Sequence, residues 1–280
     1  MKYSIKNILV PTDFSETADN ALRVALAIGE RHGATVHLIN IVTTHLLLPS
    51  MASVSGAGDE MAMLISSSKE ELESYRLRAI NEGQRGLVAV SEFGTVSSNA
   101  AAYVANHHID LVVMGTHGTS GWKEFFIGSN AMATIRECDC PVLAVPLSFS
   151  KSSFDKVLYP IRNVFGVASK YDYVRGIIEK NDSEVHLLGL VQKKDINDID
   201  LLDTLKQVRD MVIRDKDVIT FETFVCENLA DKILKTAHER KDDLMVINAT
   251  LDTGWKEYFM GDFTQQIINH SRIPVLAVRL

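Results

Sequence analysis

At 280 residues the chain is about twice the length of a typical domain, and its 46% hydrophobic and 23% charged residues exclude collagen-like, coiled-coil and largely disordered architectures. A net charge of −7 argues against a general nucleic-acid binder, and three cysteines are too few for a disulfide framework. No apolar run reaches the roughly 20 residues of a membrane span, and Met1–Asn7 lacks a signal peptide's apolar core, so a cytoplasmic protein with reduced thiols is expected.

Short apolar runs alternate with helical patterns along the chain. Strands are predicted at Asn7–Val10, Thr35–Val42, Leu87–Phe93, Leu111–Met114 and Val142–Val145, with helices near Ser15–His32, Glu60–Glu82, Ser97–His107 and Asn130–Cys138. In the first helix Ala18, Ala21, Leu22, Ala25 and Leu26 share one face, Ser15 can cap the amides, and His32-Gly33 supplies the stop. Near-continuous apolar strands such as Leu111–Met114 belong to a parallel sheet covered on both faces. Further strands follow at Lys156–Tyr159, Glu184–Val191, Val218–Cys226, Leu244–Ile247 and Val275–Val278. The alternation predicts an α/β fold of two doubly wound domains, each a five-stranded parallel sheet with helices on both faces.

The two sets of strands are one sequence used twice. Trp122-Lys123-Glu124-Phe125-Phe126-Ile127-Gly128 returns as Trp255-Lys256-Glu257-Tyr258-Phe259-Met260-Gly261, an offset of 133 that also carries Asp110–Met114 onto Asp243–Ile247 and Pro141–Val145 onto Pro274–Val278. Nearer each start the offset is 149, matching Ile8–Pro11 with Val157–Pro160 and Val36–Leu38 with Val185–Leu187. The second copy has therefore lost about 16 residues, expected at the Ser/Gly/Ala-rich stretch Thr43–Glu60. Domains are expected at 1–146 and 154–280, joined by a linker over 147–153.

Ligands of open α/β sheets sit beyond the carboxyl ends of the strands. At such an end lies Gly115-Thr116-His117-Gly118, followed nine residues later by Gly128-Ser129-Asn130-Ala131. Gly115 and Gly118 allow positive φ and clear space for a phosphate; Gly128-Ser129 opens a helix whose free amides favour an anion. Ser129 adds a hydroxyl donor, or a metal ligand if a divalent ion accompanies the nucleotide. Turn glycines and a capping serine would look the same, so the motif alone decides nothing. After the first strand, Pro11-Thr12-Asp13 sets a carboxylate near the same crevice, able to accept from a ribose hydroxyl or an adenine amine, or simply to cap the next helix.

This combination resembles the universal stress protein family: Pro-Thr-Asp after the first strand, Gly-x-x-Gly-(nine)-Gly-Ser after the fourth, and a Pro-Val-Leu-Ala-Val final strand. The resemblance spans the chain once per copy, as in a tandem two-domain member. It implies the fold shared with the adenine nucleotide α-hydrolases and an ATP-binding regulatory role in stress responses. Asp13 and the backbone of Ile41 would hold the adenine and ribose, and Gly115, Gly118, Gly128 and Ser129 the phosphates, with Asn130 and Ala131 adjoining. ATP, ADP, AMP or a cyclic dinucleotide would suit, with or without Mg2+. In the second copy Thr12 becomes Ile161, Asp13 Arg162, Gly115 Asn248, Gly118 Leu251 and Ser129 Asp262; only Gly261 survives. An aspartate at that helix start would repel phosphate, so only the first copy is expected to bind nucleotide in this manner.

No catalytic residue set is visible. His117 reads as a loop residue, there is no Gly-x-x-x-x-Gly-Lys-[Ser/Thr] loop or kinase set, and the Ser-Gly-Gly-x-Asp-Ser loop of related hydrolases is missing. At most, slow ATP hydrolysis is expected. Cys138, Cys140 and Cys226 read as structural thiols; His37 and His186, at matched strand positions, as packing or hydrogen-bonding residues; His107-His108 as a helix end. The repeated Gly-Trp-Lys-Glu, retained where the phosphate glycines are not, reads as structural. Family resemblance further implies antiparallel pairing of the two final strands into an intramolecular pseudo-dimer, a homodimer being the alternative. Leu46-Leu47-Leu48 and Met51 could meet a protein partner. A nucleotide-independent scaffold is the rival function.

Overall fold

The computed structural model describes residues 4–43, 57–84, 86–116, 128–161, 171–192, 200–213, 219–249, 251–252, 259–260 and 262–279. The first half contains β1 (Asn7–Thr12), α1 (Glu16–His32), β2 (Thr35–Val42), α2 (Ala57–Asn81), β3 (Leu87–Phe93), α3 (Val96–Asn106), β4 (Leu111–Gly115), α4 (Ser129–Glu137) and β5 (Val142–Val145). The second contains β6 (Lys156–Ile161), α5 (Tyr171–Asn181), β7 (Glu184–Gln192), α6 (Asp200–Ile213), β8 (Ile219–Cys226), α7 (Leu229–Arg240), β9 (Leu244–Ala249), the two-residue β10 (Leu251–Asp252) and β11 (Phe259–Met260), α8 (Asp262–His270) and β12 (Val275–Arg279).

Ten strands form one sheet in the order β3-β2-β1-β4-β5-β12-β9-β6-β7-β8. Each half is parallel, with its order reversing at β1/β4 or β6/β9. The halves meet through the antiparallel β5–β12 pair, where Leu143 lies opposite Leu276, its own counterpart at offset 133. The seam is thus self-complementary and gives both final strands a partner. Two apolar layers flank the sheet. One gathers α1, α2, α5 and α6 through residues such as Ala21, Tyr75, Ile177 and Val208; the other gathers α3, α4, α7 and α8 through Ala100, Ile135, Ile233 and Ile267.

Local chemistry explains the elements. Ser15 Oγ accepts from the Ala18 N–H at 3.2 Å to start α1, Glu16 and Asp19 occupy its first turn, and Gly33 ends it at φ +66°. Asp110, repeated as Asp243, holds the start of the first strand in each half. Its carboxylate accepts from the Lys6 and Asn7 amides at 2.7 and 2.9 Å, and that of Asp243 from Asp155 and Lys156 at 3.1 Å. His37 Nδ1 lies 3.0 Å from the Tyr103 hydroxyl and His186 Nδ1 2.6 Å from Thr220 Oγ1. Burial pushes the Cys138 thiol up to about 12 and raises Cys140 and Cys226 as well, as structural thiols require.

The segment between the halves is tied down. Asn20 donates to the carbonyls of Pro146 and Phe149, Arg23 to Phe149 and Arg31 to Ser152, while the Phe149 and Phe154 rings stack at 5.9 Å. In the second copy α6 has 14 residues against 25 in α2, whose first residues, Ala57 to Glu60, belong to the stretch where the loss is expected. The helix predicted near Glu60–Glu82 is α2, whose inward face carries the buried Leu72, Tyr75 and Ala79. Among the described residues no helix is long and apolar enough to cross a membrane.

Candidate functional site

Where the strand order reverses, β1 and β4 diverge at their carboxyl ends and leave a cavity of about 650 Å³. Pro11, Thr12, Asp13, Ile41, Gly115, Gly128, Ser129, Asn130 and Ala131, from four separate segments, all line it. Gly118 lies outside the described residues, as do His117, Trp122 to Glu124, the counterparts Trp255 to Glu257 and Leu46 to Met51.

The turn after β1 is held by its own side chains. Thr12 Oγ1 accepts from the Phe14 N–H at 2.9 Å and Asp13 Oδ1 from the Ser15 N–H at 3.1 Å. Ser15, rather than Asp13, is the helix cap. Phe14 takes a left-handed φ of +63°, uncommon outside glycine, and its ring lies 5.9 Å from that of Tyr75 on α2. The Tyr75 hydroxyl donates to Asp19 Oδ1 at 2.5 Å, which fastens α2 to α1 beside the turn.

Gly115 lines the cavity, but the positive φ expected of it is not taken. A Cβ there would stand 2.7 Å from Thr17 Cγ2 and 3.0 Å from the Thr17 backbone carbon and oxygen. The glycine admits the first turn of α1 against β4. The ends of the segment that follows are joined by the Gly128 N–H, which donates to the Thr116 carbonyl at 2.7 Å. Gly128 then caps α4 at φ −60° with no side-chain acceptor, and no acidic residue occupies the first turn. The positive pole of α4 therefore opens into the cavity without a built-in anion. Opposite it, Thr35 N–H bonds to Lys6 C=O, and the alternation along β2 directs the Ile41 amide and carbonyl toward the β1 side, just where β1 ends.

Residues not anticipated complete the wall. Leu64, Ser67, Ser68 and Glu71 of α2 line the cavity, with Asn40 at its floor. Buried Asn40 donates through Nδ2 to the Thr12 carbonyl at 2.7 Å and accepts at Oδ1 from Ser68 Oγ at 2.8 Å; Ser68 also meets Ser91 Oγ at 2.8 Å. A lone amide in the apolar run Val36 to Val42 was the available signal. In the second half its counterpart is Gly189, which has no side-chain amide to make these bonds, and β10 pairs with β11 with Leu251 opposite Met260. Ile161 and Asn248 are buried there, Arg162 and Gly261 lie outside the described residues, and Asp262 begins α8.

The universal stress protein family model matches residues 4–146 and again 179–279. The chain belongs to the universal stress protein family. Two universal stress proteins of Methanocaldococcus jannaschii are similar to it. One is 28% identical over 142 residues, covering 50% of this chain and 81% of that protein; the other is 26% identical over 160 residues, covering 52% and 97%. A universal stress protein structure from Archaeoglobus fulgidus matches at a TM-score of 0.72 and 18% identity over 99% of this chain and 97% of its own, a likeness of fold. The family match is double, as a tandem arrangement requires. Its second segment begins inside α5 and omits β6, the strand after which Arg162 replaces the aspartate.

Proposed function

We propose that the first half of this universal stress protein binds an adenine nucleotide in the β1/β4 cavity, and that the second half does not bind one in this manner. One observation carries the reading: the start of α4, which has no side-chain cap, opens into the same cavity as Asp13 and the β2 edge at Ile41. Anion, hydroxyl and base-edge partners thus converge in a space within the usual range of small-ligand sites, roughly 300–1,000 Å³. Phosphates would lie on the amides of Ser129 and Asn130, ribose hydroxyls on Asp13, and the adenine edge on the Ile41 backbone. Ser129 Oγ is the hydroxyl suited to an accompanying Mg2+. In the second half, Asp262 at the start of α8 brings the charge that a phosphate would bring, and so opposes it.

The role we propose is sensing rather than catalysis, in a cytoplasmic protein of two domains, 1–146 and 154–280. Nucleotide released by acid from the purified chain tests this. About one AMP, ADP or ATP per chain supports it, and none supports a nucleotide-independent scaffold. Turnover abolished by Asp13→Ala would instead mark an ATPase.

A further inference from the structure

Outside the β5–β12 ladder the second half also reaches the first through Arg279. Arg279, the last residue of β12, stands in register with Ala249 at the carboxyl end of β9. Because β12 runs antiparallel to β5, its end crosses the seam toward the residues that precede β5. There its Nη1 donates to the Arg136 carbonyl in the last turn of α4, and its Nη2 pairs with the Asp139 carboxylate just beyond. The last carbonyls of a helix have no partner within it, and a cation there complements the negative pole.

α4 has nine residues, a rise of about 13 Å, and is too short to hold its own direction. It is pinned in the core by Ala131, Thr134 and Ile135, at its start by the Gly128–Thr116 bond, and at its far end by Arg279. At offset 133 the counterpart of Arg279 is Pro146, which carries no side-chain donor, so no equivalent contact is returned to α8 from that position.

We infer that Arg279 is a positioning residue for the first half's phosphate end, through which the last strand of the second half sets the aim of α4. The inference rests on the nucleotide reading for its ligand and on the contact geometry for its mechanism. It gives the altered copy a part in a site from which its own residues are absent. Only the phosphate end depends on α4, so a nucleoside without phosphate is the internal control.

Two measurements on the full-length chain test it. In titrations, Arg279→Met should weaken AMP about three- to tenfold and leave adenosine unchanged, while Arg279→Lys, which keeps the charge, should recover most of the loss. By hydrogen exchange, the amides of α4 should exchange faster in Arg279→Met than in the parent, with those of β1 and β2 unchanged. Parent-like AMP affinity and α4 exchange in Arg279→Met would overturn the inference, as would equal losses for AMP and adenosine, the mark of a general structural defect. A parent that binds neither ligand would overturn the nucleotide reading, and the exchange measurement would then still decide whether Arg279 holds α4.

Discussion

Gly115 of β4 lies against Thr17 of α1 so closely that a Cβ on the glycine would stand 2.7 Å from the threonine Cγ2. Two of the other contacts in reach, at 3.0 Å, are the Thr17 backbone carbon and oxygen. Gly115→Ala must therefore displace the helix start that carries the Asp13–Ser15 turn. Overpacking of this kind costs about 1–3 kcal/mol. Chemical denaturation should register that loss, and Thr17→Ala added to Gly115→Ala should recover only part, since the backbone atoms remain. Full recovery would show that the methyl group alone made the contact.

Asn40 ties three elements at the cavity floor, from the Thr12 carbonyl to Ser68 and on to Ser91. Asn40→Ala removes both of these side-chain bonds from a buried position, a loss of about 1–3 kcal/mol. The variant should lose stability and also bind AMP more weakly, because α2 is released from the cavity wall. Asn40→Asp, which keeps the acceptor but not the donor, should fall between. Titration and denaturation of both variants check the order.

How much of this was legible in the residues depends on where each signal lies. Strand positions were legible because a buried parallel strand needs an unbroken apolar run, as in Leu111–Gly115 and Val142–Val145. The cavity's main segments were legible because spaced glycines and Pro11-Thr12-Asp13 fall at strand ends. Ser68 and Arg279 were not, since each acts on a partner far away in sequence and nothing local marks it, and Asn40 showed only as a lone amide in a strand, with no sign of its partners. Gly115 was expected at positive φ, which it does not take, and its close approach to Thr17 was not legible, for a glycine's motif does not say which atoms approach it.

Asp242 gives the second half a pH dependence. It is buried, both carboxylate oxygens lack a hydrogen-bond partner, and Arg240 Nε stands 3.7 Å away. Burial, partly offset by Arg240 and Lys156, pushes its carboxyl up to about 6. The folded value lies above the unfolded one of about 3.9, so the group favours folding most below pH ~4 and stability is lost as pH rises to about 6. Above that the ionised form costs about 2 kcal/mol after allowance for screening. Asp242→Asn should be the more stable protein at pH 7.5, with the advantage vanishing near pH 4. Urea titrations at the two values test this, and an unchanged pH dependence would contradict it.

The account centres on one nucleotide site per chain, at the start of α4. Calorimetric titration of the full chain with AMP and ATP, beside Ser129→Asp, which places the second half's aspartate at the matching position in the first, tests it most directly. The account predicts one site per chain and at least tenfold weaker binding in the variant. Two equal sites, or binding untouched by Ser129→Asp, would contradict it.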